Sequence, residues 1–288
     1  MHIQRGAWAE INLDAVAHNV QMAKANLKPT TKLCAVVKAD AYGHGAVRVA
    51  QEAARNGADF FAVALLQEGV KLREAGIETP ILVLGSMLPE VAEICVRYDI
   101  SHAVFDEERL YALNAAALKL HTKAKIHIKI DTGMHRIGVH VRDAGRFAKL
   151  AASLPGIYIE GVFSHFATAD ADDKQYAAYQ FERFQEALRL IEAEGVHIPI
   201  RHIANSAALT ELQEYQLDMV RQGITLYGLH PAHMIDCYKD FEPVMTVKTQ
   251  VAFVKTLPPG ETIGYGRTYT LTRPSVIATV PIGYADGV

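Results

Sequence analysis

Between residues 33 and 223, short apolar runs rich in Val and Ile alternate with stretches of helical periodicity, and no other feature constrains the fold as much. Strand-like runs separated by amphipathic crossovers specify a parallel sheet covered by helices. There are eight runs: LCAVVK, DFFAVA, PILVLG, HAVF, KIHIKI, IYIEGVFSH, IRHIAN and MVRQG, starting near Leu33, Asp59, Pro80, His102, Lys125, Ile157, Ile200 and Met219. Eight in succession predict an α/β fold, a (β/α)8 TIM-type barrel. Between the last strands, Ala177, Phe181, Phe184, Leu188 and Ile191 recur at steps of four and three, which predicts a surface helix with one apolar stripe against the sheet.

After Leu229 the pattern changes. VMTVKTQVAFVKTL and VIATVPIGY have strand composition, with a turn at Pro258-Pro259-Gly260 and no helix between them. The expected division is a barrel over residues 1–235 and the beginning of a β-rich C-terminal domain over 236–288, with residues 1–10 a candidate to pack with the second. That second part, about 50 residues, is short for a domain with its own core.

Composition excludes several classes. Half of the 288 residues are hydrophobic, enough for a large core, and 29 basic against 32 acidic residues leave a formal charge of −3 with no block of like charge. Neither nucleic acid nor a membrane surface is therefore an expected partner. Cys34, Cys95 and Cys237 lie far apart with no CxxC pair, as in a reducing compartment. The N-terminus carries Glu10, Asn12 and Asp14 where a signal peptide needs an apolar centre, and no apolar run is long enough to span a membrane. A cytoplasmic protein is expected. The 13 histidines form no HExxH spacing, and neither a P-loop nor GxGxxG occurs, so no metal or nucleotide is expected.

In a barrel of this kind, chemistry collects at the C-terminal ends of the strands. Those ends carry Lys38, Asp131, Ser164-His165, Asn205-Ser206 and Arg221 followed by Gly223. Lys38 closes the run LCAVVK just before the turn-rich ADAYGHG. Burial disfavours an ammonium and lowers its pKa, and the neutral amine that results is a nucleophile that forms Schiff bases, most commonly with pyridoxal phosphate. Alone, Lys38 could equally be a strand-terminal lysine reaching for water. Together with a flat histidine, a hydroxyl and glycine amides, it suits a phosphate-bearing aromatic cofactor.

Eight segments carry a resemblance that covers almost the whole chain: WAEINLDAVAHNV, AVVKADAYGHG, KIDTGMHRIG, GVFSHFATAD, HIANSAA, VRQGITLYG, GYGRTYT and VPIGYADG. In this order they resemble the alanine racemases, fold-type III enzymes that use pyridoxal 5'-phosphate (PLP). The resemblance implies two-base interconversion of L- and D-alanine, the latter for peptidoglycan, with Lys38 as Schiff-base lysine and one base. Tyr265 matches the other base, given in the family across a homodimer interface and supported by a histidine, for which His165 and His202 are candidates. Two bases on opposite faces are what racemisation requires. Arg221 matches the arginine facing the pyridine nitrogen. Tyr42, Ser206 and the amides of Gly223 and Ile224 match phosphate binders, beside Asn205 at the same strand end. Arg136 matches the arginine at the substrate carboxylate, Lys129 a lysine carbamylated in some members, and Tyr284 a tyrosine of the access corridor.

Each residue also has a structural reading. Tyr42 and Tyr284 could fill space beside loops, His202 could be a core histidine, and Lys129 an ion-pair partner. What tells against these readings is their joint order on one barrel. The sequence departs from the family at its C-terminal side, where the family continues past GYADG with a Cys-Met-Asp segment and a further tyrosine. This sequence contains neither, so it reads as C-terminally truncated. Three rival readings stand beside it. A racemase for another small amino acid, such as serine, would differ in pocket shape, which sets the preference for a methyl over a hydroxymethyl group. A non-catalytic PLP-binding barrel would lack GYGRTYT, and a fold-type III decarboxylase would put a carboxylate where Arg221 stands.

Overall fold

The computed structural model describes residues 6–231 and 238–287. The expected boundary at 235/236, Cys237 and the first five residues of the N-terminal segment lie outside the described residues. The chain divides into two compact units, Leu13–Val244 and Met1–Asn12 with Met245–Val288. Residues 238–244 therefore belong to the first unit. The reason is local: Tyr238, Phe241 and Val244 are buried, and the Asn19 side chain donates to the carbonyl oxygens of Leu226 and Glu242 at 3.1 and 2.8 Å while accepting from Glu242 N at 2.7 Å.

The first described strand, β1 (Ala7–Ile11), belongs to the smaller unit. The larger unit is built on β2 (Lys32–Val36), β3 (Phe60–Val63), β4 (Ile81–Val83), β5 (Ser101–Val104), β6 (Ala124–Asp131), β7 (Val139–His140), β8 (Ile157–Phe163), β9 (Ile200–His202) and β10 (Met219–Gln222). Parallel pairing runs in the order β10-β2-β3-β4-β5-β6-β8-β9, with β7 beside β6. Hydrogen bonds from Asp218 N to Arg201 O and from Arg221 N to Ala204 O, both 3.1 Å, draw β9 and β10 together and nearly close the ring. All eight sequence runs are strands of this barrel. β2 to β4 are almost wholly apolar because parallel strands are covered on both faces, inside by the barrel core and outside by helices, while β6, β9 and β10 carry buried polar side chains. Cys34, Val36, Phe60, Ala62, Leu82, Ile200 and Met219 form one core cluster. Burial pushes the thiols of Cys34 and Cys95 up to about 12, so both are packing residues.

The helix Gln175–Ala193 buries Ala177, Gln180, Phe184, Ala187 and Ile191. Phe181 and Leu188, expected in the stripe, flank it, and Gln180 stands inside it. A buried amide must be satisfied. Gln180 donates to Thr132 Oγ1 and His165 O and accepts from Ala167 N, so the helix holds the end of β8 in place.

In the smaller unit β1 pairs antiparallel with β11 (Met245–Thr249), from Ala7 opposite Thr249 to Ile11 opposite Met245. Two further antiparallel pairs follow: β12 (Phe253–Leu257) with β15 (Ser275–Thr279), and β13 (Thr262–Ile263) with β14 (Tyr269–Thr270). Among the described residues of this unit only Leu271 is buried.

Candidate active site

The segment after β2 has the longest run of left-handed backbone among the described residues. Ala39, Asp40, Ala41 and Tyr42 all have φ between 51 and 56°, a left-handed turn of four non-glycine residues. Such a turn costs about 1–2 kcal/mol per residue, so the surroundings must hold it. Glu68 accepts from Ala39 N at 2.6 Å and from Ala64 N and Leu65 N at 2.8 and 3.0 Å. Asp40 accepts from Ala46 N at 3.0 Å and pairs with Lys71 at 3.1 Å. Tyr227 packs on Tyr42 with ring centroids 4.9 Å apart and donates its hydroxyl to Val36 O at 2.8 Å, tying the turn to the end of β2. Lys38 is thereby half-buried at the strand end, its Nζ 5.7 Å from the centre of the Tyr42 ring.

Lys129 is more deeply enclosed than Lys38. Its buried amine donates to Ile130 O at 2.8 Å and lies 5.4 Å from the Phe163 ring centre. Desolvation, helped by the charge of Arg221, brings its pKa down to about 7. At the same strand end Asp131 accepts from Gly133 N and His135 N at 3.0 Å, which shapes the loop carrying Arg136. Burial works to raise the Asp131 pKa, but these bonds and the one from the His135 ring outweigh it. Gly138 closes the loop where a Cβ would stand 2.6 Å from Asp131 N, room that only glycine leaves.

Arg221 on β10 is buried and donates in four directions. Nη1 reaches His202 Nδ1 at 2.6 Å, and Nη2 reaches Ser164 O, His165 Nδ1 and Ile203 O at 2.8, 2.9 and 3.0 Å. Desolvation lowers its pKa to about 10, still well above neutrality, so it stays a cation. Both histidines are pushed well below the usual imidazole value, first by burial and then by Arg221. They are neutral acceptors.

Ser206 opens the helix Ser206–Glu211, which Asn205 caps by accepting from Ala208 N at 3.1 Å. Ser206 Oγ accepts from Gly223 N at 2.8 Å. A Cβ on Gly223 would stand 3.4 Å from Tyr42 Oη and 3.7 Å from Ser206 Oγ, so the absence of a side chain keeps open a small cradle between two hydroxyls. Burial raises the Tyr42 pKa, which keeps its hydroxyl a donor.

One cavity of about 320 Å³ joins these parts, and its lining includes Lys38, Tyr42, Lys129, Arg136, His165, Asn205, Ser206, Arg221, Gly223 and Ile224. His202 is not in the lining; it is fully buried behind Arg221 with its ring stacked on Phe163 at 4.9 Å and 6°. Of the two histidine candidates, only His165 therefore faces the cavity. Tyr265 and Tyr284 belong to the smaller unit, each on a short 3-10 turn and exposed by 93% and 83%. Sequence reasoning missed Glu68, Gln180 and Phe163. Only Phe163, at the end of a strand run, had a position that could have drawn attention.

Fold and cavity together define the class: a (β/α)8-barrel protein with a polar ligand cavity at the C-terminal ends of its strands and a β-rich C-terminal part. The family models of the alanine racemase N-terminal and C-terminal domains match residues 11–231 and 244–288. Alanine racemase of Desulfovibrio desulfuricans is 47% identical over 283 residues, covering 98% of this chain and 76% of that protein, and that of Halothermothrix orenii is 46% identical, covering 99% and 75%. Among solved structures, alanine racemase of Clostridium difficile 630 superposes with a TM-score of 0.92 at 40% identity, covering 99% of this chain and 75% of that one. The Bacillus anthracis alanine racemase with bound L-Ala-P gives 0.91 at 38%, covering 100% and 75%. The chain belongs to the alanine racemase family.

Proposed function

We propose that this chain racemises alanine with PLP as cofactor, Lys38 Nζ and Tyr265 Oη acting as the two bases. The observation that carries the reading is that a lysine amine, a permanent cation and a hydroxyl-lined glycine cradle share one cavity. The residues fit a phosphorylated pyridine aldehyde: Lys38 would bond its carbonyl carbon, Tyr42, Ser206 and the amides of Gly223 and Ile224 would hold its phosphate, and Arg221 would face its ring nitrogen. Bound there, PLP would supply the electron withdrawal that makes an amino acid's α-proton removable.

The chain's own residues supply the rest. The left-handed turn fixes the Lys38 amine at the strand end, where it can take a proton from the α-carbon or return one. Tyr265 is assigned the opposite face, because inversion needs a proton acceptor and a proton donor on the two sides of one carbon. Its exposed position suits a group that works when covered by a second copy, and a homodimer is proposed on that ground. Arg221 donates hydrogen bonds and does not release its protons, so it offers the cofactor no acid. Arg136 on its shaped loop would hold the substrate carboxylate. Lys129, near half-neutral at pH 7, has the reactive amine form that carbon dioxide adds to. No helix among the described residues is long and apolar enough to cross a membrane. A cytoplasmic enzyme supplying D-alanine for peptidoglycan accords with that and with the buried thiols.

The test is incubation of the chain with PLP and L-alanine in heavy water, following loss of the α-proton together with formation of D-alanine. Both should occur, and both should vanish in Lys38→Ala. Cofactor binding without exchange would refute racemase activity.

A further inference from the structure

A polar chain runs through the barrel interior behind Arg221, and the cavity does not account for it. From His202 Nε2 the path continues to His127 Nδ1 at 2.8 Å, from His127 Nε2 to Glu160 Oε2 at 3.0 Å, and Ser101 Oγ donates to the same oxygen at 2.5 Å. His127 is fully buried and the Glu160 side chain is 13% exposed. Arg221 itself has two histidine nitrogens and two carbonyl oxygens as partners, and no carboxylate among them.

Every proton position follows from the chemistry of the two ends. Arginine carries donors only, so His202 Nδ1 must accept from it. A neutral imidazole has one N–H, which puts the His202 proton on Nε2 and makes His127 Nδ1 the acceptor. The His127 proton then sits on Nε2 and goes to Glu160. An ionised carboxylate only accepts, so the far end enforces the same direction. Burial works to raise the Glu160 pKa, and the bonds and charge interactions with His127, Ser101 and Lys125 outweigh it and bring it below the usual carboxylate value. His202 is neutral, the Arg221 cation stands at one end, and the Glu160 carboxylate stands at the other.

The fold makes specific provision for this arrangement. The pairing of β6 with β8 passes from Ile126 opposite Ile159 to His127 opposite Gly161, so Glu160 is the extra residue of a β-bulge. Bulges re-aim a side chain. At Gly161 a Cβ would stand 2.5 Å from His127 Nδ1 and 2.6 Å from Ile200 O, so glycine there leaves the space that the His127 ring fills.

We propose that Glu160 is a positioning residue for the reaction: as the acceptor-only end of the Arg221–His202–His127 chain, it fixes the polarity of that chain and so the direction in which Arg221 presents its donors. The catalytic purpose rests on the reading of the cavity given above; the proton arrangement does not. Glutamine at this position could donate as well as accept, so the constraint at the far end would be lost and Arg221 alone would oppose the reversed chain, in which a His202 N–H stands against Arg221.

The test uses the full chain labelled with 15N-histidine, before and after loading with PLP, and reads ring tautomers by long-range 1H–15N NMR. The wild-type chain should show one Nε2–H on both His127 and His202. Glu160→Gln should show mixed tautomers on His127, with kcat for alanine down about tenfold, in the range of lost outer hydrogen-bond partners, and KM little changed. Glu160→Asp, still acceptor-only, should keep the single tautomer and recover activity. A doubly protonated His127 in the wild-type chain overturns the proposal, as do unchanged tautomers and unchanged kcat in Glu160→Gln. If that variant does not fold, the wild-type spectrum alone decides. Correct tautomers without α-proton exchange would remove the racemase reading, and with it the catalytic purpose of Glu160, while leaving the chain itself in place.

Discussion

The barrel unit and the smaller β-rich unit treat their side chains in opposite ways. In the barrel, large residues such as Phe61, Leu82, Phe184 and Tyr227 are almost entirely buried, and so are charged or polar ones such as Arg221, Lys129 and His202. In the β-rich unit Val247, Phe253, Val276 and Tyr265 are more than half exposed. The contrast separates two kinds of functional group. Those of the barrel are held by their own surroundings before any ligand arrives. Tyr265 sits on a turn shaped by Gly264 and Gly266, both near φ 72°, and the role proposed for it requires something to cover it.

The largest expected effect bears on the prepared side of this contrast. Lys38→Ala should lower racemisation by at least about a thousandfold, the scale of losing a covalent catalytic group, without unfolding the barrel; residual exchange near the wild-type rate would show that another base does the work. Next, Phe61→Ala should cost about 3–5 kcal/mol in denaturant unfolding, whereas Phe253→Ala should stay within about 0.5 kcal/mol. Equal costs would erase the contrast.

A third effect is electrostatic and belongs to the barrel. Burial depresses the His102 pKa from 6.5 to about 4. Between those values the unfolded chain binds the proton and the folded chain does not, so stability is present above pH 6.5 and is lost as pH falls towards 4. The loss should approach about 3 kcal/mol from this residue, with His165 and His202 acting in the same direction. Unfolding followed across pH 7 to 4 should show the slope, and His102→Phe should reduce it; a flat profile would mean that these rings are protonated inside the fold. The smallest effect concerns the cradle. Gly223→Ala should weaken PLP binding by about tenfold, roughly 1.4 kcal/mol, with thermal unfolding of the unloaded chain unchanged. Unaltered affinity would move the phosphate elsewhere.

How far the sequence foretold this depends on the range of the forces involved. Most of the eight strands were readable because a strand covered on both faces is rich in apolar, β-branched residues. Lys38, Arg221 and Ser206 were readable because they interrupt or end such runs. The left-handed turn after Lys38 was not, since ADAY has no local preference for positive φ and Glu68, from another helix, holds it there. The bulge at Glu160 was marked only by the Glu160-Gly161 pair that breaks the run IYIEGVF, and which residue the extra one is follows from the pairing with β6. Gln180 occupies an apolar stripe for reasons visible only where three backbone and side-chain partners meet it. The domain division shifted because Asn19, more than 200 residues away in sequence, binds the backbone at Glu242.

The sharpest measurement is complementation between two chains, each lacking one proposed base. Lys38→Ala and Tyr265→Phe are purified separately, each inactive, then mixed under conditions that exchange subunits. If Tyr265 serves a partner's Lys38 site, mixing should restore activity to about a quarter of wild type, since half of the dimers are hybrids and each hybrid carries one intact site of two. A mixture as inactive as its parts, with hybrid dimers demonstrated, would contradict the assignment of one base to the prepared barrel and the other to a covered turn.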